Sequence, residues 1–317
     1  MRKQPDSIAR IINLVLILLV VSGCGKEEVS QQPSGEPQPA APVSPGDGIA
    51  VTGSAKLSVV RATTELAEDP YSEAWRAAPF AVVPMMPQQQ TMPVLDTGTI
   101  TELIVQSMHD GKDIAWRISW ADATPDGNVD VGRFTDAVAI QFPLDPGASP
   151  TMGHIGGKVQ IIHWKALWQK DIDTHFQDVQ DVHPNFWSDL YWFAEGKWPF
   201  PIPEAFQDPT SLQWFVAQQA GNPMAAFSRT SAVEELVAEG FGTLTHQPNS
   251  ASTARGVYKD GRWAVVIRRP LKTDDPLDAV LNGNPATQIG FAVWDGSKDN
   301  VGGRKHWSNW TPLEITQ

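Results

Sequence analysis

Residues 98–120, GTITELIVQSMHDGKDIAWRISW, hold two runs of alternating apolar and polar residues around His109-Asp110-Gly111-Lys112. An Asp-Gly pair between such runs predicts a tight hairpin. Glycine supplies the positive φ, and the aspartate side chain bonds its own backbone. A two-stranded ribbon is not stable alone, so it must be part of a larger sheet with a buried face. Further runs supply that sheet: DAVAIQFPL (136–144), KVQIIHWKALW (158–168), GRWAVVIRRPL (261–271) and TQIGFAVWDGS (287–297) alternate and are rich in β-branched and aromatic residues. The expected fold class is all-β, an immunoglobulin-like β-sandwich with helical and loop insertions.

Helix is expected only in short pieces. SAVEELVAEGFG (231–242) offers Ser231 as N-cap, Glu234 for a capping box and Gly240 as a stop, and TSLQWFVAQQAG (210–221) is a second candidate. Residues 171–255 break the strand rhythm with prolines and aromatics. They are expected to form a long structured insertion, and a loop of that length is usually functional.

The N-terminus fixes an expected compartment. Residues 1–24, MRKQPDSIARIINLVLILLVVSGC, have a basic head and an apolar run from Ile11 to Val21, too short for an ordinary membrane span. The ending VSGC resembles a bacterial lipobox, which implies cleavage after residue 23 and lipidation of Cys24. Residues 24–54 then form a Pro/Gly/Ser/Gln-rich tether, and 55–317 form the folded domain. The lipid would anchor the domain to the periplasmic side of the inner or outer membrane; two or more acyl chains make such an anchor stable.

Cys24 is the only cysteine. The domain therefore has no disulfide framework, and cysteine-ligated iron–sulfur clusters, cysteine-based zinc sites and C-x-x-C-H haem attachment are excluded. Removing residues 1–23 takes away Arg2, Lys3, Arg10 and Asp6, so the formal charge moves from −12 to −14. Such an acidic chain is a poor nucleic-acid binder. No nucleophile elbow, phosphate loop, dinucleotide fingerprint or H-E-x-x-H helix occurs, and the seven histidines show no metal-ligand spacing on a helix face. The thirteen tryptophans fit either a large core or a flat ligand site for haem or sugar.

Five phrases carry a resemblance. DPYSEAWRAAPFAVVPMMPQ, SMHDGKDIAWRISWADAT, GRFTDAVAIQFP, PTMGHIGGKVQIIHWKALWQKD and GFAVWDGSKDNVGGRKHWSNW occur in this order over about 68–171 and 256–315. Together they resemble the haem b-binding subunits typified by the gamma subunit of ethylbenzene dehydrogenase. The resemblance implies a non-covalent haem b whose iron takes a methionine sulfur and a lysine amine, and hence electron transfer rather than catalysis. Carried onto this chain, the methionine is Met152 and the lysine is Lys305. His306 and His154 stand as alternatives for the second position, because neutral imidazole ligates more readily at pH 7 than an amine. The cluster Arg304–His306 would alternatively pair with haem propionates.

Without the resemblance, Met152 reads as a flexible gap-filler and Lys305 as a loop lysine. His163 and Lys165 share one face of a strand, whose ordinary role is a half-polar surface. His109 and Asp110 read as turn residues. Implied partners are a redox protein, either a periplasmic molybdenum oxidoreductase or a membrane cytochrome. The lipoprotein tether and the 171–255 insertion depart from the family pattern, and Trp187, Trp192 and Trp198 in the insertion are candidates to cap the haem edge. The competing expectation is a carbohydrate-binding envelope lipoprotein, which requires tryptophans on an open face and Met152 far from Lys305.

Overall fold

The structure, a computed structural model, describes residues 56–186, 209–282 and 286–316. Cys24, the tether and Trp187, Trp192 and Trp198 lie outside the described residues. The hairpin forms where its pattern puts it: β4 (Glu102–His109) and β5 (Asp113–Ala121) pair antiparallel. Asp110 Oδ1 accepts from the N–H of Lys112 at 2.8 Å and of Asp113 at 2.7 Å, and Gly111 takes φ 95°. His109 does something else. Its ring is buried, with Nε2 2.7 Å from the Thr316 carbonyl, and so pins the C-terminal segment.

One sheet runs β10 (Thr253–Lys259), β11 (Arg262–Pro270), β5, β4, with β2 (Phe80–Pro84) and β1 (Leu57–Arg61) sharing the far edge of β4. The other runs β9 (Thr245–His246), β8 (Val233–Ala238), β7 (Val159–Lys165), β6 (Ala137–Pro143), β12 (Ala286–Trp294). β14 (Thr311–Ile315) pairs with β12 and, in parallel, with β1, joining the two sheets along one side. Two short strands, β3 (Met86–Pro87) and β13 (His306–Trp307), complete the second sheet beside β12.

The sheets close on each other as a β-sandwich. Its core takes Trp116, Ile118 and Trp120 from β5 and Val265 and Ile267 from β11, against Ile140, Phe142, Ile162, Trp164, Phe291 and Val293 from the second sheet. Trp116 meets Phe142 at 5.3 Å between ring centroids, and Trp164 meets Trp263 edge-on at 5.2 Å. These large rings, with no disulfide, hold the layers together, each burying on the order of 200 Å².

Two expectations are corrected. Residues 231–242 are not a helix: Val233–Ala238 form strand β8, every residue buried. Val233, Leu236 and Val237 have helical spacing, but the open edge of β7 needs a backbone partner. Six residues of β8 supply it, from Val159↔Ala238 to Trp164↔Val233. The 171–255 stretch thus contributes β8 and β9 to the sheet.

The strand expected over 158–168 ends at Lys165, and Ala166–Asp173 form a helix, α1. No side chain of its own caps α1. Its first N–H groups are satisfied by the Asp136 carbonyl, 2.8 Å from Ala166 N, and the Thr135 hydroxyl, 2.9 Å from Leu167 N. A neighbouring loop closes the helix end, a contact no local pattern reveals. The 210–221 candidate becomes two single turns, Pro209–Leu212 and Val216–Gln219.

Candidate functional site

The second sheet is apolar on both faces, and its outer face makes a site. In β6, Val138, Ile140 and Phe142 point into the sandwich, which turns Ala137, Ala139 and Gln141 outward. Register lines these up with neighbours. Ala139 lies between Ala292 and His163, and His163 pairs on with Glu234; Ala137 lies between Trp294 and Lys165. The floor is therefore a patch of alanines bordered by Trp294, His163 and Lys165. A cavity of about 950 Å³ stands on it, at the upper end of the range for small-molecule and cofactor sites. Its walls come mostly from loops: Gln88–Met92, the Met152 loop, Asn222–Met224, Phe241–Leu244 and Asn300–Gly303, with His246 and Lys305 beside them.

Met152 and Lys305 meet in this cavity. Met152 sits at the tip of its loop with φ 68°, followed by Gly153 at φ 74°. The loop is fastened by the Gly240 N–H to the Met152 carbonyl at 2.8 Å and by Trp310 Nε1 to the Ala148 carbonyl at 2.9 Å. Gly153 serves the turn itself: a Cβ there would lie 2.4 Å from the Gly157 carbonyl oxygen. Lys305 immediately precedes β13, its carbonyl accepting from Gln88 N at 2.9 Å. Its amine lies 3.4 Å from Met152 Sδ and 5.2 Å from the centroid of the Trp294 ring.

The Lys305 side chain touches cavity space, so it counts as partly exposed, yet its amine lies deep within the protein. Burial alone pushes its pKa from 10.5 to about 8. A thioether and a readily neutralised amine thus face each other over a flat apolar floor.

The alternative ligands are elsewhere. His306 follows Lys305 in extended chain and so points to the opposite side. It is fully buried, and Nε2 accepts from Thr99 N at 2.8 Å and Ile100 N at 3.2 Å, which occupies the lone pair a metal would need. Burial also lowers its pKa. His154 is exposed on the outside of the Met152 loop, over Gly157. Arg304 is half-buried, and it is not among the residues that wall the cavity.

Sequence reasoning passed over the floor itself. His163 is one of its residues: its ring stacks on Trp294 at 4.8 Å, and Nε2 is buried with no hydrogen-bond partner among the described residues. Burial, then the Lys165 and Lys305 amines, hold its pKa well below the usual 6.5. The available signal was the spacing of Ala137 and Ala139 in DAVAIQFP, small residues alternating with large ones. Most described tryptophans are interior: Trp116, Trp120, Trp164 and Trp168 are fully buried, and among the described residues Trp214 is the one exposed indole. Those residues make no open aromatic platform of the kind a sugar would need.

The donor set fits a haem. Two side chains that can offer a neutral lone pair converge, the floor is flat and apolar, and a buried imidazole nitrogen on it has no hydrogen-bond partner among the described residues. No helix among the described residues is long and apolar enough to cross a membrane.

The sequence profile of the ethylbenzene dehydrogenase family matches residues 72–306. A protein of Haloferax mediterranei, assigned to a respiratory nitrate reductase as its heme subunit, is 30% identical over 252 residues, covering 77% of this chain and 68% of the relative. The chlorate reductase subunit gamma of Ideonella dechloratans is 23% identical over 241 residues, covering 75% of each. Among solved structures, a family 9 carbohydrate-binding module from Caldicellulosiruptor kristjanssonii aligns over 82% of this chain and 93% of its own, with a TM-score of 0.36 and 7% identity. That likeness is too slight to carry an argument.

Proposed function

Since the chain belongs to the ethylbenzene dehydrogenase family, as its match over residues 72–306 shows, we propose that it is a haem b electron-transfer protein whose iron is held by Met152 and Lys305. The observation that carries this reading is the convergence of Lys305 Nζ and Met152 Sδ at 3.4 Å above an alanine floor. When bound, the haem supplies a one-electron redox centre. Were Met152 and Lys305 both to hold the iron, it would have no position left for a substrate, which favours electron transfer over catalysis. A thioether is a soft neutral donor that raises the potential. Lysine ligates only as the free amine, and burial of Lys305 lowers the cost of freeing it.

The relatives' names point to the setting. One is assigned as a nitrate reductase heme subunit and one is a chlorate reductase subunit. By analogy, this chain passes single electrons between a periplasmic oxidoreductase, a molybdenum enzyme, and a respiratory partner. The lipidated Cys24 and the tether over 24–54 would hold it at the membrane, with 55–317 as the haem-binding domain.

The test is an absorption spectrum of the purified, haem-supplemented protein, oxidised and then reduced with dithionite. Sharp low-spin bands on reduction, extractable into acidified organic solvent, are expected; Met152→Ala should shift them. A haem-loaded Met152→Ala protein with an unchanged spectrum would remove Met152 from the iron. A featureless wild-type spectrum would remove the haem.

A further inference from the structure

Among the described residues that wall the cavity, two side chains carry a permanent positive charge in water, Lys305 and Lys165. Lys305 is directed at Met152. Lys165 is the last residue of β7 and borders the same floor: in register it pairs with Ala137, whose other neighbour is Trp294, the ring beneath the Lys305 amine.

The Lys165 amine lies 4.5 Å from the centre of the Trp168 ring, and among the described residues its one hydrogen-bond contact is the sulfur of Met224 at 3.5 Å, a weak acceptor. The nearby acids are engaged elsewhere. Glu234, whose charge acts on Lys165 from the same wall, holds His246 at 2.9 Å, and Asp171 lies 3.5 Å from Arg229. A cation drawn out of bulk water on the wall of a largely apolar cavity, with no carboxylate in direct contact among the described residues, is costly unless a ligand brings one. The sequence pointed to Arg304 and His306 for this role, and neither walls the cavity.

We propose that Lys165 is the anion-binding residue of the cavity, its amine taking a propionate carboxylate of the haem while Trp168 and Met224 hold the lysine stem in place. This rests on the haem reading above and adds to it a selectivity: the cavity recognises a porphyrin with free carboxylates. The amine–carboxylate pair is a charge-assisted hydrogen bond, shielded by the apolar floor, and so of the stronger kind.

The test compares haem b with its dimethyl ester, which keeps the macrocycle and iron but cannot offer an anion. Both are titrated into the full chain and into Lys165→Met, following the Soret band. The wild type should bind haem about tenfold or more tightly than the diester, the ratio a charged hydrogen bond supplies. Lys165→Met, which keeps the stem on Trp168, should bind the two alike while retaining low-spin bands, and Lys165→Arg should restore the preference.

A Lys165→Met protein with the wild-type preference overturns the proposal, as does a wild type that binds haem and diester equally. In both cases haem binding itself stands. A wild type that binds neither overturns the haem reading and this proposal with it. Circular dichroism of each variant identifies one that has not folded. If Lys165→Met is such a case, Lys165→Gln decides by the same ratio.

Discussion

Replacing Lys305 with methionine removes one amine and keeps the length of the stem, so it isolates the charge. In the ligand-free protein the amine's pKa is pushed from 10.5 to about 8 by burial. A lysine with a depressed folded-state pKa binds fewer protons folded than unfolded, so it weakens folding at low pH. The cost is fully present below about 8 and fades as pH rises towards 10.5. Some 2.5 units at about 1.4 kcal/mol each give roughly 3.4 kcal/mol at pH 7 and under about 1 kcal/mol at pH 10. Water in the cavity screens the ammonium, so the first figure is an upper bound.

Lys305→Met should therefore unfold at higher urea than wild type when both are haem-free. Its advantage should be about 2–3 kcal/mol at pH 7, falling by most of that amount at pH 10. Other groups that titrate in this window are common to both proteins and cancel in the difference. An advantage equal at the two pH values would show packing, not charge, at work. A variant weaker than wild type at pH 7 would refute the buried amine outright. The same numbers connect to function. At pH 7 about one Lys305 in ten is already the free amine, against fewer than one in a thousand for an ordinary lysine. Burying Lys305 thus costs stability and keeps its amine close to losing its proton.

A second titration has the opposite sign. Asp122 is buried beside Asp136 and Asp295; burial, then the Asp136 carboxylate, pushes its pKa to about 8. A carboxyl with a raised folded-state pKa keeps its proton in the folded state, so its cost is absent near pH 4 and complete above pH 8. Asp122→Asn should match wild type in urea unfolding near pH 4 and exceed it by at least about 2 kcal/mol at pH 8.5; equal stability at both would refute the argument. Gly153→Ala puts a Cβ 2.4 Å from the Gly157 carbonyl oxygen at a φ of 74°. It should shift the Met152 loop and weaken haem binding at least severalfold in a Soret titration while leaving the sandwich spectrum by circular dichroism intact. Unchanged affinity would mean the loop does not position Met152.

The sequence by itself determined the all-β class, the β4–β5 hairpin and the edges of most long strands, because alternation and turn chemistry are local. It also excluded cysteine-bound cofactors, which composition alone decides. Its phrases marked Met152 and Lys305 as a pair, though they are 153 positions apart.

Where the chain's own pattern was ambiguous, only the tertiary structure decided. Val233–Ala238 became a strand because β7 had an edge to fill, and Ala166–Asp173 became a helix because Thr135 and Asp136 cap it from another segment. Of Lys305, His306 and His154, Lys305 alone lines the cavity, and that turns on which way each side chain faces. Lys305 and His306 are neighbours, yet one lines the cavity and the other accepts two backbone N–H groups inside the sheet. The alanine floor, with Lys165 at its border, arises from cross-strand register among β12, β6, β7 and β8. Register joins residues far apart in sequence, and no window along the chain contains it.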